Sequence, residues 1–248
     1  MASDLHGKTV LITGGARRVG AVVARRLHAA GANLAIHYRS SASEAEALRA
    51  ELNAGRKNSA ITAQADLLDL ATLPSLVAAT LAAFGGLDVL INNASSFYAT
   101  PVGEITSAQW DDLIGTNLRA PLFLSQAAAP QLRESRGLII NIADIHGLRP
   151  LKRFPVYSAA KAGLVMLTHS LAREFGPEVR VNAIAPGPIL FPEQGMTDEI
   201  EAQIVERTLL KRRGTPEDIA GAALYFAADA PYVTGQVLAV DGGRSVNA

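Results

Sequence analysis

The sequence predicts a doubly wound α/β fold, in which one seven-stranded parallel sheet is covered by helices on both faces. Short apolar segments of strand length alternate with longer segments of helical character along the whole chain. Most of the strand-like segments are continuous apolar runs, which is typical of parallel strands buried on both faces. No linker, internal repeat or low-complexity tract interrupts the alternation. We therefore expect residues 1–248 to form a single domain that buries most of its unfolded surface.

Seven strands and six helices are predicted in strict alternation. The strands are Thr9–Thr13, Asn33–Tyr38, Ser59–Gln64, Asp88–Asn92, Gly137–Ile142, Arg180–Ile184 and Val237–Val240. The helices lie near 20–30, 43–54, 70–84, 107–132, 156–175 and 216–228.

Local signals support two of the helix starts. Ser43 and Glu46 have the spacing of a capping box, and Pro216 after Thr215 suits the first turn of a helix. Residues 190–213 form a longer, partly helical insertion before the last helix, and we expect this segment to be a lid over a substrate.

Composition excludes several classes of function. The formal net charge is zero, so no electrostatic footprint for nucleic acid or a membrane surface is present. The chain contains no cysteine, which excludes disulfides and thiolate chemistry, and its five histidines lack metal-ligand spacing. The sequence shows neither a signal segment nor an apolar run that could span a bilayer. We expect a soluble cytoplasmic protein without a metal site.

The first predicted strand runs into a glycine-rich turn, Thr13-Gly-Gly-Ala-Arg-Arg-Val-Gly20, and then into a helix that Gly31 stops. Strand, glycine turn and helix in this order form the phosphate cradle of a Rossmann fold, because the helix N-terminus offers free N–H groups to a pyrophosphate. An ordinary strand-to-helix turn has the same outline, but the strand and helix contexts here favour a dinucleotide. Three later segments also follow predicted strands, so all should converge on one cleft: Asn92–Tyr98, Asp144 and Pro186-Gly187.

The end of the second strand indicates which dinucleotide is bound. An NAD site places an acidic residue there, about 20 residues after the glycine turn, to hold the ribose hydroxyls. The segment His37-Tyr-Arg-Ser-Ser41 has no acid, and instead offers Arg39 and two serine hydroxyls, which suit a 2′-phosphate. Arg17 and Arg18 add positive charge. We therefore predict NADP(H), the alternative being that Arg39 only ends a strand in solvent.

Tyr157 and Lys161 are the predicted proton-transfer pair. They stand four residues apart on one predicted helix, so the phenol and the ammonium share one face. A fixed cation beside a phenol favours the phenolate, so the pKa of Tyr157 is expected to fall below its usual value. Without other context, the pair would be interpreted as solvated surface residues. Asp144 stands thirteen residues before the tyrosine.

Taken together, these motifs resemble the short-chain dehydrogenase/reductase family from about Lys8 to Gly243. The resemblance rests on the glycine turn, Asn92-Asn-Ala94, the Tyr-x-x-x-Lys helix, Pro186-Gly187 and Asp241-Gly-Gly243. The chain departs from the family pattern twice, because Asp144 stands where a catalytic serine is usual and Arg18 replaces the middle glycine. These departures resemble the pteridine reductases and the reductases of dihydromonapterin or dihydrofolate. The segments that share this likeness are Asn93-Ala-Ser-Ser-Phe-Tyr98, His37-Tyr-Arg-Ser40 and Asn58-Ser-Ala-Ile-Thr-Ala-Gln-Ala-Asp66.

The resemblance implies a role for each matching residue. Tyr157 would be the acid-base residue and Lys161 would hold the nicotinamide ribose. Asp144 would orient Tyr157 or relay a proton, and Asn117 would support a water-linked proton route. The predicted cofactor contacts are Gly14, Arg17, Arg18, Val19, Gly20, His37, Tyr38, Arg39, Ser40, Ser41, Asp66, Leu67, Asn93, Ala94, Ser95, Tyr157, Lys161, Pro186, Gly187 and Ile189. The predicted substrate contacts are Arg18, Ser95, Phe97, Asp144, Tyr157 and Leu190.

Structural interpretations compete with these roles. Four of the residues have an ordinary alternative: Asp144 as the cap of its loop, Phe97 as core, Asn117 as a satisfied buried amide and Asp66 as a helix cap. Trp110 is expected to be core or packing, and His146 to be either a surface residue or part of the proton route.

The predicted reaction is NADPH-dependent reduction of a pteridine-type substrate, with Phe97 stacked on the ring. A carboxylate at 144 can help deliver a proton to a ring nitrogen, whereas as an anion it cannot donate a hydrogen bond to a ketone oxygen. The alternatives are a carbonyl or 3-oxoacyl reductase of the same fold and an NADP-binding sensor without turnover. The resemblance also implies a homotetramer built on the helices near 107–132 and 156–175.

Overall fold

The computed structural model of the chain describes residues 4–190 and 197–247, and its seven strands form one sheet. Every neighbouring pair of strands is parallel, as the continuous apolar runs predicted. The strands are β1 (Thr9–Ile12), β2 (Asn33–Tyr38), β3 (Ala60–Gln64), β4 (Val89–Asn92), β5 (Leu138–Ile142), β6 (Arg180–Pro186) and β7 (Val237–Val240). Each lies within two residues of its predicted position.

The strand order is β3-β2-β1-β4-β5-β6-β7. The chain winds outward from β1 to β3 and then returns to place β4 on the other side of β1. In sheets of this kind a ligand binds beyond the carboxyl ends of the strands where the winding reverses. The order therefore locates the cleft above β1 and β4, at the glycine turn.

Helices connect the strands and cover both faces of the sheet. Their bounds are α1 (Arg18–Ala29), α2 (Ala42–Gly55), α3 (Leu73–Phe84), α4 (Ser107–Ile114), α5 (Ala120–Glu134), α6 (Pro155–Phe175), α7 (Asp198–Glu206) and α8 (Pro216–Leu224). The predicted helix 107–132 is divided by five residues of π-helix, Gly115–Arg119, which separate α4 from α5. The predicted helix 216–228 likewise ends in a π-helical turn, Tyr225–Asp229.

One of the two predicted helix starts is wrong. Helix α2 begins one residue before Ser43, with Ser41 as its N-cap and without a side-chain cap. The Glu46 carboxylate accepts hydrogen bonds from Thr62 at 2.8 Å and Arg49 at 2.8 Å, so it is not available for a capping box. Helix α8 begins at Pro216 as expected.

Two apolar layers pack against the sheet, one on each face. Val23, Leu27 and Leu48 of α1 and α2 pack with Ile219 of α8 on one face. Side chains of α3, α5 and α6, such as Leu124, pack on the other. These layers fix the strands, so the loops at their carboxyl ends are held in place.

In the described residues, no helix is long and apolar enough to cross a membrane. Helix α7 lies in the predicted lid segment, which agrees with the expected partly helical insertion. Residues 191–196 of that segment lie outside the described residues.

Candidate active site

The glycine turn between β1 and α1 has a backbone that demands glycine at two positions. Gly14 has a φ of +59°, and a Cβ at Gly20 would approach the side-chain nitrogen of Asn93 to 2.6 Å. Arg18 also has a positive φ, +51°, where an L residue costs about 1–2 kcal/mol. The turn therefore keeps a glycine-like backbone at the position where the sequence has arginine.

Hydrogen bonds from the turn to His37 hold the turn in place. The backbone N–H of Gly14 donates to Nδ1 of His37 at 3.1 Å, and the Gly15 N–H donates to the His37 carbonyl at 3.0 Å. Nε2 of His37 lies 3.1 Å from the Ala65 carbonyl, so the hydrogen bonds assign the ring proton to Nε2. Burial lowers the pKa of His37, which favours this neutral form. Both ring nitrogens are used by the protein, so His37 serves a cofactor site through the turn that it holds.

Asn93 and Thr13 fix the turn to the loop that follows β4. The Asn93 amide donates to the carbonyls of Thr13 at 2.8 Å and Gly14 at 3.0 Å. The Thr13 hydroxyl accepts from the backbone N–H groups of Asn93 and Ala94 at 2.9 and 3.0 Å. The side chain of Asn93 is therefore engaged in bracing the turn.

The residues around this turn fit a dinucleotide that carries a 2′-phosphate. At the N-terminus of α1, the N–H groups of Val19 and Gly20 have no carbonyl one turn earlier within the helix. Arg39 is exposed directly after β2, where the five residues 37–41 include no acid. The Arg17 guanidinium lies 3.7 Å from Glu44, with both side chains about half exposed, so it is only weakly held. Free N–H groups and cations are the donors that phosphates require.

The other predicted cofactor contacts lie along the same edge of the sheet. Tyr38 ends β2 partly buried, Ser40 and Ser41 follow it, Leu67 is buried in the core, and Ile189 is buried after β6. The Asp66 carboxylate accepts from the Leu68 N–H at 3.0 Å, whereas Asp69 caps the next turn. Gly187 lies at the end of β6, where a Cβ would approach Asp241 to 2.6 Å.

Asp144 joins the end of β5 to α6. Its Oδ2 accepts a hydrogen bond from the Tyr157 hydroxyl at 2.7 Å, and its Oδ1 accepts from the His146 N–H at 2.8 Å. The carboxylate thus caps its loop and also contacts the tyrosine, as the functional interpretation of Asp144 requires. The His146 ring lies 3.2 Å from the Arg149 carbonyl, and its backbone is what meets Asp144.

Lys161 is the largest fully buried side chain of the structure and lies beside Tyr157. Its Nζ donates to the Ile142 carbonyl at 2.8 Å and lies 5.7 Å from the centre of the Tyr157 ring. Burial lowers the pKa of Lys161 to about 8, and the Asp144 carboxylate acts in the opposite direction. The spacing of four residues therefore places both side chains on one helix face, as predicted.

Asn117 lies in the π-helical turn between α4 and α5, a kind of turn that occurs frequently at functional sites. Its Oδ1 accepts from the Ser95 hydroxyl at 2.7 Å, and its Nδ2 donates to the carbonyls of Ser96 at 3.0 Å and Leu113 at 2.9 Å. Asn117 is a satisfied buried amide, and it also fixes the loop after β4 that carries Ser95. A hydrogen bond with the Ser95 side chain lowers the pKa of Tyr157.

Phe97 forms an aromatic wall beside Tyr157. Its ring stacks on Phe154 with centroids 4.7 Å apart and planes at 14°. The same ring meets Tyr157 edge-on, with centroids 4.8 Å apart and planes at 78°. Phe97 is 43% exposed, so it lies at the surface of the cleft, outside the core, as expected.

Known proteins resemble the chain over nearly its full length. Residues 14–245 match the family model described as enoyl-(acyl carrier protein) reductase. The 3beta-hydroxysteroid dehydrogenase 1 of Eggerthella lenta is 38% identical, over 99% of this chain and 97% of that protein. Pteridine reductase 1 of Leishmania tarentolae is 35% identical over 99% of both. The 3-oxoacyl-[acyl-carrier-protein] reductase FabG of Staphylococcus aureus is 36% identical, over 95% of this chain and 97% of that protein.

Two solved structures share the fold. A blue fluorescent protein from a metagenomic library, in complex with NADPH, superposes with a TM-score of 0.90 at 38% identity over 97% of this chain and 99% of that chain. A mutant short-chain dehydrogenase/reductase of Serratia marcescens gives a TM-score of 0.91 at 33% identity, with the same coverage.

The chain belongs to the short-chain dehydrogenase/reductase family.

In this short-chain reductase the expected effect of Lys161 on Tyr157 is wrong. Burial raises the pKa of Tyr157 well above its usual value, and the charge and hydrogen bond of Asp144 raise it further, while Ser95 lowers it. The ammonium of Lys161 is directed at the Ile142 carbonyl, so the nearest charge to the phenol is the carboxylate. The phenol therefore stays protonated at neutral pH.

Other expectations are corrected or extended by the structure. Trp110 is 50% exposed on α4, so the expectation that it lies in the core is wrong, and the alternative that it serves packing stays a prediction. Phe154 was missed as a residue of the site; it is the N-cap of α6, three residues before Tyr157, and its ring stacks on Phe97. Leu190, the predicted substrate contact at the start of the lid segment, is 38% exposed and so is accessible to a ligand.

Replacing Asp144 with asparagine is predicted to lower the pKa of Tyr157. The change removes the negative charge and the anionic acceptor beside the phenol, while burial is retained. Tyrosine-specific ¹³C NMR across an alkaline titration measures the change. Asp112→Asn is the matched control. The Tyr98 hydroxyl donates to Asp112, so this change should lower the pKa of Tyr98 and leave the pKa of Tyr157 unchanged. An unaltered Tyr157 titration in Asp144→Asn would contradict the assignment.

The lowered pKa of Lys161 predicts that the stability of the protein depends on pH. Its folded pKa of about 8 lies below the ordinary 10.5, so between these values the unfolded chain binds more protons and stability rises with pH. Relative to Lys161→Met, the free energy of unfolding of the wild type should rise by about 3 kcal/mol from pH 8 to 10.5. Urea denaturation at several pH values measures this difference. A constant difference between the two proteins would show that Lys161 titrates normally.

Proposed function

We propose that this chain transfers hydride from NADPH to a pteridine-type substrate, taking a dihydropterin or a dihydrofolate to the tetrahydro form. The observation that carries the proposal is the 2.7 Å hydrogen bond between Asp144 and Tyr157, beside the exposed ring of Phe97. The likeness to pteridine reductase 1 of Leishmania tarentolae supports it. Every candidate substrate would be used by the same general activity, that of an NADP(H)-dependent short-chain oxidoreductase.

The cofactor is NADP(H), and it supplies the hydride when bound. Arg39, Ser40 and Ser41 would hold the 2′-phosphate, and the N-terminus of α1 would receive the pyrophosphate. Lys161 would bind the nicotinamide ribose. Because Lys161 lies next to Tyr157, a nicotinamide ribose held there would lie close to the phenol.

Tyr157 would donate the proton to the substrate, and Asp144 would help to replace it. Tyr157 is a neutral donor, because burial and the carboxylate raise its pKa. Its proton lies on the hydrogen bond to Asp144, so donation to a substrate nitrogen requires the hydroxyl to turn from the carboxylate toward the substrate. Asp144 would then accept a proton from solvent and pass it to the Tyr157 phenolate, which regenerates the phenol. Asn117 and Ser95 hold the loop that faces this pair.

The aromatic wall supports a planar substrate. An exposed phenylalanine at a cleft wall offers a flat apolar surface, and aromatic rings stack on such a surface in offset geometry. Phe154 backs the ring of Phe97, so the wall keeps its orientation when a substrate ring approaches. A pteridine is planar and carries ring nitrogens within reach of a proton donor, so the wall and the Asp144–Tyr157 pair suit the same molecule.

A carbonyl or 3-oxoacyl substrate is the second candidate, because the Staphylococcus aureus 3-oxoacyl reductase is as similar to the chain as the pteridine reductase is. A carbonyl oxygen needs hydrogen-bond donors, and a carboxylate only accepts. Asp144 therefore disfavours a carbonyl, and this single side chain separates the two proposals.

A substrate panel tests the function through the loss of NADPH absorbance. Dihydrobiopterin, dihydromonapterin and dihydrofolate are compared with a ketosteroid and a 3-oxoacyl thioester, and turnover is expected with a pterin. Tyr157→Phe should lower kcat by about 10²- to 10⁴-fold, as loss of a general acid does, with NADPH affinity retained. Asp144→Ser should shift the preference toward ketones, because a hydroxyl can donate. Turnover of ketones alone by the wild type would overturn the pteridine proposal, and tight NADP binding without any turnover would favour a sensor.

The proposed assembly is a homotetramer built on α4, α5 and α6. Trp110, Phe123 and Met166 of these helices are 50%, 38% and 63% exposed, and burial of such side chains favours association. Analytical ultracentrifugation should give the mass of four chains, and Trp110→Glu should lower it. A monomeric wild type at micromolar concentration would refute the assembly.

A further inference from the structure

The loop Ser95–Tyr98 is attached to α4 and the π-helical turn by the side chains on either side of Phe97. The Ser96 hydroxyl donates to Oδ1 of Asp112 at 3.2 Å, and the Tyr98 hydroxyl donates to Oδ2 of the same carboxylate at 2.9 Å. Ser95 bonds Asn117 at 2.7 Å. The ring of Phe97, which lies between Ser96 and Tyr98 in the chain, instead contacts the rings of Phe154 and Tyr157.

Phe97 itself has no polar anchor. Its side chain meets the rings of Phe154 and Tyr157, and it remains 43% exposed. These ring contacts hold Phe97 in one place only if the backbone that carries the ring keeps its position. The hydrogen bonds of Ser96 and Tyr98 fix that backbone on both sides, and one carboxylate receives both of them.

We propose that Asp112 is a positioning residue for Phe97: its two carboxylate oxygens hold the hydroxyls of Ser96 and Tyr98, so that the Phe97 ring keeps its place on Phe154 as the platform for a planar substrate. Asp112 touches neither the substrate nor the cofactor. The kinetic part of this inference rests on the proposed function, and the structural part does not.

The state of Tyr98 agrees with this arrangement. Burial, followed by the hydrogen bond to Asp112, raises the pKa of Tyr98 to about 12, so the phenol is a neutral donor throughout the physiological range. A second acceptor, the Gln109 carbonyl, lies 3.4 Å from the hydroxyl. Thr116 lies 3.5 Å from the Ser96 hydroxyl. Each of these contacts is longer than the bond that the same hydroxyl donates to Asp112.

The test compares the wild type with Asp112→Ala, Asp112→Asn and Asp111→Ala. In Asp112→Ala, a crystal structure of the protein with NADPH should show the Phe97 ring displaced from Phe154. The KM for dihydrobiopterin should rise by about tenfold, as expected from the loss of an aromatic stack. The values of kcat and of the NADPH dissociation constant should change less than twofold. Asp112→Asn should keep the KM close to that of the wild type, because the amide oxygen accepts a hydrogen bond from one hydroxyl and the amide nitrogen can donate to the other.

Asp111→Ala is the matched control, since Asp111 is an exposed neighbour on the same helix whose contact, with the Ser107 hydroxyl, is 3.5 Å long. It removes the same charge and should leave KM unchanged. Tyr98→Phe, which deletes one of the two bonds, serves as a second probe if Asp112→Ala does not fold, and a KM rise of about threefold is expected.

An unmoved Phe97 ring in Asp112→Ala, or a KM of that variant equal to the KM of the wild type, would overturn the proposal. Equal losses of kcat and NADPH affinity with an unchanged KM would overturn it as well, because they would show a general structural role. If the wild type turns over none of the pterins, the proposed function fails, and the position of the Phe97 ring in the crystal structures still decides the role of Asp112.

Discussion

A buried ammonium, that of Lys161, is the constraint around which the catalytic side of the cleft is arranged. Removing a charge from water costs several kcal/mol even after the protein relaxes, so it must find compensation. Here the compensation comes from the Ile142 carbonyl at 2.8 Å and from the negative charge of Asp144. Both groups lie at the end of β5, so the buried cation ties α6 to the sheet. Tyr157, one turn earlier on α6, is thereby placed against the Asp144 carboxylate.

The carboxylate changes the electrostatics of the tyrosine. A hydroxyl at position 144 could donate to a substrate oxygen and would leave the phenol next to a neutral group. Asp144 only accepts, and its charge raises the pKa of Tyr157 where the neighbouring lysine was expected to lower it. The pair thus holds its proton between the two side chains until a stronger acceptor arrives. Under the proposed function, a ring nitrogen of the substrate would be such an acceptor, whereas a ketone oxygen is a weaker base.

Much of the fold could be predicted from the sequence because its signals are local. Continuous apolar runs placed all seven strands within two residues, and Tyr157 and Lys161 share a helix face because helices repeat every 3.6 residues. What failed depends on contacts between distant segments. The Glu46 carboxylate bonds Thr62 in β3, and the pKa of Tyr157 depends on burial and on Asp144 across a loop. Trp110 is 50% exposed because the described residues cover its face of α4 only in part, which depends on tertiary contacts that the local pattern does not show.

The cleft combines two kinds of support, and the difference has a functional reason. On the cofactor side, the side chains of His37 and Asn93 hold the glycine turn through its backbone N–H and carbonyl groups, which every residue carries. That support suits a ligand whose phosphates and ribose are the same in every turnover. On the side of the proposed substrate, the neighbours of Phe97 are held by hydrogen bonds between side chains, which end on Asp112 of α4. A single substitution can remove such a bond at either of its ends while the sheet and the turn remain intact. A common scaffold could therefore keep its cofactor while its substrate surface changes, and Asp144 and Phe97 lie on that side of the cleft.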